Sequence, residues 1–80
     1  MDIKILGSGC AKCQRLESLA RAAADELGLD TTIDEVTDPG EIAAWGVMAT
    51  PALVIDDRVV VSGRVPSQDE VRGLLAAGRA

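Results

Sequence analysis

Hydrophobic and polar positions along the chain follow two alternating periods. Ile3 to Leu6 is a short apolar run closed by Gly7-Ser8-Gly9, the pattern of a buried strand running into a sharp turn. The period then becomes helical. Leu16, Leu19, Ala20, Ala23 and Leu27 recur at spacings of three and four, and Gly28 stands where a left-handed residue ends a helix. This predicts a helix with Cys10 at its start. Leu29 to Val36, rich in Thr, Ile and Val, predicts a second strand, so the chain opens with a βαβ unit whose strands are parallel.

Asp38-Pro39-Gly40-Glu41 then spells a helix start, with Asp38 as N-cap, Pro39 at the first helical position and Glu41 placed to complete a capping box. That helix is short and ends at Gly46. Pro51 to Ile55 and Val59 to Val61 are apolar runs on either side of Asp56-Asp57, the pattern of a hairpin. Ser67-Gln68-Asp69-Glu70 is a second capping box, and Val71, Leu74 and Leu75 give the apolar face of a last helix running out near Gly78. The predicted order is βαβαββα. No linker, repeat or low-complexity stretch interrupts it, so residues 1–80 are expected to form a single α/β domain.

Composition narrows the function. With no Phe, Tyr or His and one Trp, the core has to be built from Leu, Ile, Val and Ala, and no aromatic platform exists on which bases could stack. The net charge of −5 opposes binding to nucleic acid phosphates and anionic membrane surfaces. The opening residues are apolar over too short a stretch for a signal-peptide core, and no stretch approaches a membrane span. A cytoplasmic, monomeric protein is the expectation.

Two cysteines in such a setting point to catalysis or metal binding rather than a structural disulfide, because the cytosol is reducing. Cys10 and Cys13, three apart at a helix start, share one face and fall within the separation that a disulfide requires. The unpaired N–H groups of a helix N-terminus favour a thiolate, and Lys12 adds to that effect at Cys10. Lowering a thiol pKa from about 8.5 to about 7 raises its thiolate fraction at neutral pH from roughly 3% to roughly 50%. Cys13 lies one turn inward, in line with Leu16 and Ala20, and is expected to be buried and to act second.

Other chemistries fit the pattern less well. A staple across so short a loop contributes only about 2 kcal/mol. A soft-metal carrier for Cu(I) or Zn, using the same two cysteines, is the alternative. Copper-carrier domains, however, place Met two residues before the first Cys and run βαββαβ, whereas Ser8 stands there and a helix follows the second strand. With no His and no third Cys, a closed zinc site would need a dimer. Lys12 replaces the third glycine that a dinucleotide loop needs after Gly7-Ser8-Gly9. Glu17, Arg21, Asp25 and Glu26 read as the wet face of the first helix, and Trp45 as half-buried cover.

A Cys-x-x-Cys beside a βαβ unit is a thioredoxin-like pattern. Gly9-Cys10-Ala11-Lys12-Cys13, Gly46-Val47-Met48-Ala49-Thr50-Pro51-Ala52-Leu53-Val54 and Val61-Ser62-Gly63 together resemble the small, glutaredoxin-sized, thioredoxin-like redox-active disulfide proteins of archaea and bacteria, over nearly the whole chain. The resemblance implies a thioredoxin-like fold, α/β, with a four-stranded mixed sheet flanked by helices. It implies a thiol/disulfide oxidoreductase with catalytic Cys10 and Cys13 and no bound cofactor. It also implies a cis Thr50–Pro51 bond, and a loop of Ala49, Thr50 and Pro51 that receives an extended substrate. Disulfide substrates, protein or small molecule, and a flavin- or ferredoxin-linked disulfide reductase are the partners it implies. The chain departs from thioredoxins in having Gly9 rather than Trp before the first Cys, and Ala11-Lys12 rather than Gly-Pro between the two. Lys4 occupies the place of the buried carboxylate that thioredoxins carry on the preceding strand, which leaves Cys13 without an obvious proton acceptor.

Overall fold

The computed structural model describes residues 1–7 and 11–78; Ser8, Gly9, Cys10, Arg79 and Ala80 lie outside the described residues. Seven elements follow in the order β1 (Asp2–Leu6), α1 (Ala11–Leu27), β2 (Thr32–Val36), α2 (Pro39–Ala44), β3 (Ala52–Ile55), β4 (Arg58–Ser62) and α3 (Gln68–Gly78). The four strands make one mixed sheet in the order β2-β1-β3-β4, with β1 parallel to β2 and antiparallel to β3, and β3 antiparallel to β4. The expected order and sheet are those observed.

Strand alternation distributes the core over two faces. Ile3, Ile5, Leu53, Ile55 and Val61 point to one side, where they meet Leu16, Ala20, Ala23 and Ala24 of α1 and Val71 and Leu75 of α3. On the other side Leu6, Ala52 and Val54 meet Ile42 of α2, Val47, Val36 and Trp45. All of β3 is buried, as befits a strand covered on both faces.

Local chemistry sets the boundaries. Asp38 caps α2 by accepting from the Glu41 N–H at 3.0 Å, and Ser67 caps α3 by accepting from the Glu70 N–H at 3.2 Å. The second strand begins at Thr32 rather than at Leu29, and α2 ends at Ala44 rather than at Gly46; the other boundaries lie within one residue of expectation. Gly28, at φ 65°, donates its N–H to Asp25 C=O, and Leu29 donates to Ala24 C=O. These two bonds form a Schellman ending, so the apolar Leu29 packs back against the core as part of the helix cap. At the hairpin tip Asp56 and Asp57 hold φ 48° and 67°, the left-handed pair of a type I′ turn, which Asp tolerates better than most residues. Among the described residues, no helix is long and apolar enough to cross a membrane.

The core is made of aliphatic side chains, so truncating one at its centre leaves a cavity that no large neighbour can fill. Leu53→Ala is expected to lower the unfolding free energy by about 2–5 kcal/mol in a urea titration. A loss below about 1 kcal/mol would contradict the burial of β3 on both faces.

Candidate active site

Helix α1 begins at Ala11, so its first turn contains Lys12 and Cys13. The helical period sends these two neighbours in opposite directions. Lys12 is exposed and, with Ala11 and Arg15, lines a shallow hollow at the start of the helix. Cys13 is 3% exposed and continues the buried stripe of Leu16 and Ala20. Cys10 lies outside the described residues.

Cys13 rests on the end of β1. A Cβ built on Gly7 would run into Cys13 Sγ, and would stand 3.3 Å from Cys13 Cβ and 3.8 Å from Thr50 Cβ. Gly7 is buried and held by its N–H donating to Val36 C=O at 2.9 Å. A strand end, the first turn of a helix and the loop before β3 therefore converge on one point, and only a residue without a side chain fits there.

The loop on the far side of Gly7 carries the cis Thr50–Pro51 bond. The Pro51 ring is fully buried, whereas Ala49 and Thr50 are exposed and Met48 wholly so. Pro51 C=O accepts from the Gly63 N–H at 2.9 Å, and a Cβ on Gly63 would come within 3.1 Å of Ala49 Cβ. At φ 77° Gly63 adopts a backbone that L-residues rarely take, so the end of β4 can close against this loop. Ala49, Thr50 and Pro51 thus form a rim beside Cys13 that is anchored at one end and open on the other.

Lys4 lies on the opposite face of the sheet. Its ammonium donates to Asp2 at 2.7 Å and stands 5.6 Å from the centre of the Trp45 ring. The bond to Asp2 holds the Lys4 pKa above its ordinary value. Trp45 packs on the smaller core cluster, as half-buried cover.

The wet face expected of α1 holds at Arg21, Asp25 and Glu26, which are exposed, and needs correcting at the half-buried Glu17. Glu26 reaches α3, accepting from Gln68 at 3.1 Å and from Arg72 at 3.2 Å. Glu17 has only 22% of its side chain exposed, accepts from Arg21 at 2.7 Å, and has the Glu35 carboxyl of β2 as a neighbour. Its interaction with the Glu35 carboxyl, and after it the bond from Arg21, holds Glu17 below the ordinary carboxylate range, while the interaction with Glu17 holds Glu35 above it. Two signals in the sequence mark this pair. Glu17 follows Cys13 by four residues, and Glu35 follows Ile33 by two on a strand whose alternate residues face the helix. Gly7, which reads as a turn residue in the sequence, is the third position whose role emerges only from the packing.

A four-stranded mixed sheet of this order, with helices on both faces, is the thioredoxin-like α/β fold. The thioredoxin domain family matches residues 1–76, and the chain belongs to that family. It is 40% identical over 76 residues to a thioredoxin of Methanothermobacter thermautotrophicus, covering 95% of this chain and 99% of the relative. To a thioredoxin of Methanocaldococcus jannaschii it is 43% identical over 70 residues, covering 88% of this chain and 80% of the relative. The protein is accordingly a thiol/disulfide oxidoreductase.

Two glycine substitutions separate close packing from helix propensity. Gly7→Ala, driven into Cys13, is expected to destabilise the fold by about 1–3 kcal/mol. Gly73→Ala lies in α3 with open space around it and is expected to stabilise by about 0.4–1 kcal/mol. Thermal unfolding of both variants checks the contrast, and a neutral Gly7→Ala would contradict the close approach.

Proposed function

We propose that the reaction is dithiol exchange, with Cys10 attacking and Cys13 resolving, within one thioredoxin-like domain of residues 1–80. The observation that carries this reading is the burial of Cys13 in the first turn of α1, against Gly7 and beside the Thr50–Pro51 loop. A thiol so enclosed is poorly placed to meet an external disulfide but well placed to receive one held on a residue nearer the helix start.

In the first step the Cys10 thiolate attacks one sulfur of a substrate disulfide. A Cys10–substrate disulfide forms, and the other substrate sulfur leaves with the electron pair of the broken bond. Cys13 then loses its proton and attacks Cys10 sulfur. The second substrate sulfur departs as a thiolate, and Cys10 and Cys13 are left joined. The substrate gains two electrons and the protein loses two. Lys12, exposed at the helix start, favours the Cys10 thiolate together with the N–H groups of the first turn. The exposed Ala49 and Thr50 offer backbone groups to an extended substrate beside the pair. A flavin- or ferredoxin-linked disulfide reductase returns the electrons, and the reducing cytoplasm is the setting in which such a cycle turns over.

Single-cysteine variants test the assignment. Cys10→Ser is expected to abolish reduction of a disulfide substrate, whereas Cys13→Ser still attacks and accumulates a mixed disulfide visible by mass. Full activity of Cys10→Ser would reverse the roles. In the Cys13→Ser protein, iodoacetamide is expected to alkylate Cys10 faster at neutral pH than it alkylates a model peptide thiol, and an equal rate would remove Cys10 as the nucleophile.

A further inference from the structure

The cations of this acidic chain are unevenly matched. Lys4 is paired with Asp2 and Asp57, Arg21 with Glu17, Arg64 with Glu70, and Arg72 with Glu26 and Asp69. Among the described residues, Lys12, Arg15 and Arg58 are left without an ion pair. Arg58 stands in register with Ile55, and through it with Ile3, at the end of the sheet opposite Gly7. Lys12 and Arg15 stand together at the start of α1, before and after Cys13.

Nothing in the local chemistry of the helix calls for them there. The partial positive charge of a helix start favours acids, and α2 and α3 conform with Glu41 and with Asp69 and Glu70. The first turn of α1 has no acid. Lys12 and Arg15, three apart, are neighbours on the helix surface and repel each other. Every other residue three or four positions from either is uncharged, so α1 places no acid to compensate. Glu17 is two residues from Arg15, a spacing at which side chains do not face, and is held by Arg21, with Glu35 beside that pair. Asp38 caps α2, which with Glu41 covers the other face of the sheet. A charge placement that works against the local element is expected where function requires it.

The two side chains are exposed and, with Ala11, line a hollow of about 220 Å³. It adjoins the redox pair. Lys12 is two residues from Cys10, a covalent reach of at most about 7 Å. At physiological salt, exposed charges more than about 8 Å apart are largely screened. Residues beside a partner's disulfide are therefore read by Lys12 and Arg15 more than by the acids on the rest of the surface. We propose that Lys12 and Arg15 form a docking patch for acidic residues flanking the disulfide of a protein substrate, and that they select such substrates over basic ones. This rests on the reading of Cys10 as the attacking thiol. A substrate extended along Ala49 and Thr50 then holds its disulfide over the pair and its acidic flank against the start of α1. The net charge of −5 turns such a partner away from the other faces, which favours approach at this end.

The test is the rate of the first exchange with three disulfide-linked peptides that differ only in the residues flanking the disulfide, which are Asp, Ser or Lys. Reduced protein is mixed with each, quenched with acid and followed by mass, at ionic strengths of about 0.05 M and about 1 M. At the lower strength the Asp peptide is expected to react about threefold or more faster than the Lys peptide, with the Ser peptide between them, and at the higher strength the three converge. Arg15→Glu is expected to reverse the order, and Arg15→Gln to shrink the ratio. Lys12→Gln is expected to shrink it as well, since any effect on the Cys10 thiolate slows all three peptides alike and cancels. Arg58→Glu makes the same change in net charge at the far end of the sheet and is expected to leave the ratio at its wild-type value. Because the helix start opposes a cation, Arg15→Glu is also expected to raise the thermal midpoint. A lowered midpoint together with an altered ratio would assign Arg15 to packing and overturn the inference. A wild-type ratio near one at low salt, or a ratio that Arg58→Glu moves as far as Arg15→Glu does, would overturn it while leaving dithiol exchange standing. A wild type that reduces none of the three peptides would instead remove the reading on which it rests.

Discussion

The structure depends on how closely α1 lies on the end of β1. At Gly7 the strand has no side chain, and the space is filled by Cys13 from the first turn of the helix. The same closeness continues down the interface, where α1 turns Ala20, Ala23 and Ala24 to the sheet and Leu16 alone of its fully buried residues is large. Small residues let the helix settle onto Ile3 and Ile5, so a core without Phe or Tyr still packs. The enclosure of the thiol follows from this contact.

The two faces of the sheet serve different ends. Helices α1 and α3 close one face over the larger apolar cluster, and the ion pair from Arg72 to Glu26 ties the outer surfaces of those helices together, with Asp69 holding the same guanidinium. Exposed pairs of this kind contribute little to stability, and the buried aliphatic contacts carry most of it. Among the described residues, the other face is covered by the short α2, Trp45 and Val47, and its remaining area is finished by Lys4 with Asp2 and Asp57. The proposed site belongs to the better-packed face, which holds Cys13 while Ala49 and Thr50 stay open to solvent.

Most of the fold was legible in the sequence because the elements are short and sharply punctuated. Asp38-Pro39 and Ser67 mark helix starts by capping chemistry, Gly28 marks a helix end by its left-handed backbone, and Asp56-Asp57 marks the hairpin. Leu29 misled because an apolar residue after a cap glycine serves a Schellman ending as readily as a strand. The inward orientation of Cys13 followed from its register with Leu16 and Ala20. The meeting of Glu17 with Glu35 was missed despite its spacing signals, since a charged residue at the edge of a helical stripe reads as solvated until the strand beside it supplies a neighbour. Gly7 was hidden for a similar reason: its requirement comes from a helix returning over it, which no local pattern records.

If Cys10 and Cys13 form one reversible two-electron couple, both thiols must respond to potential as a unit. Equilibration of the protein in dithiothreitol or glutathione buffers of graded potential, followed by acid quenching and counting of free thiols by mass, tests this directly. A single transition is expected in which both thiols disappear together, with the two-electron Nernst slope, and whose reversal restores both. Loss of one thiol without the other, as a stable mixed disulfide in the wild type, or no reversible change at any potential, would contradict it.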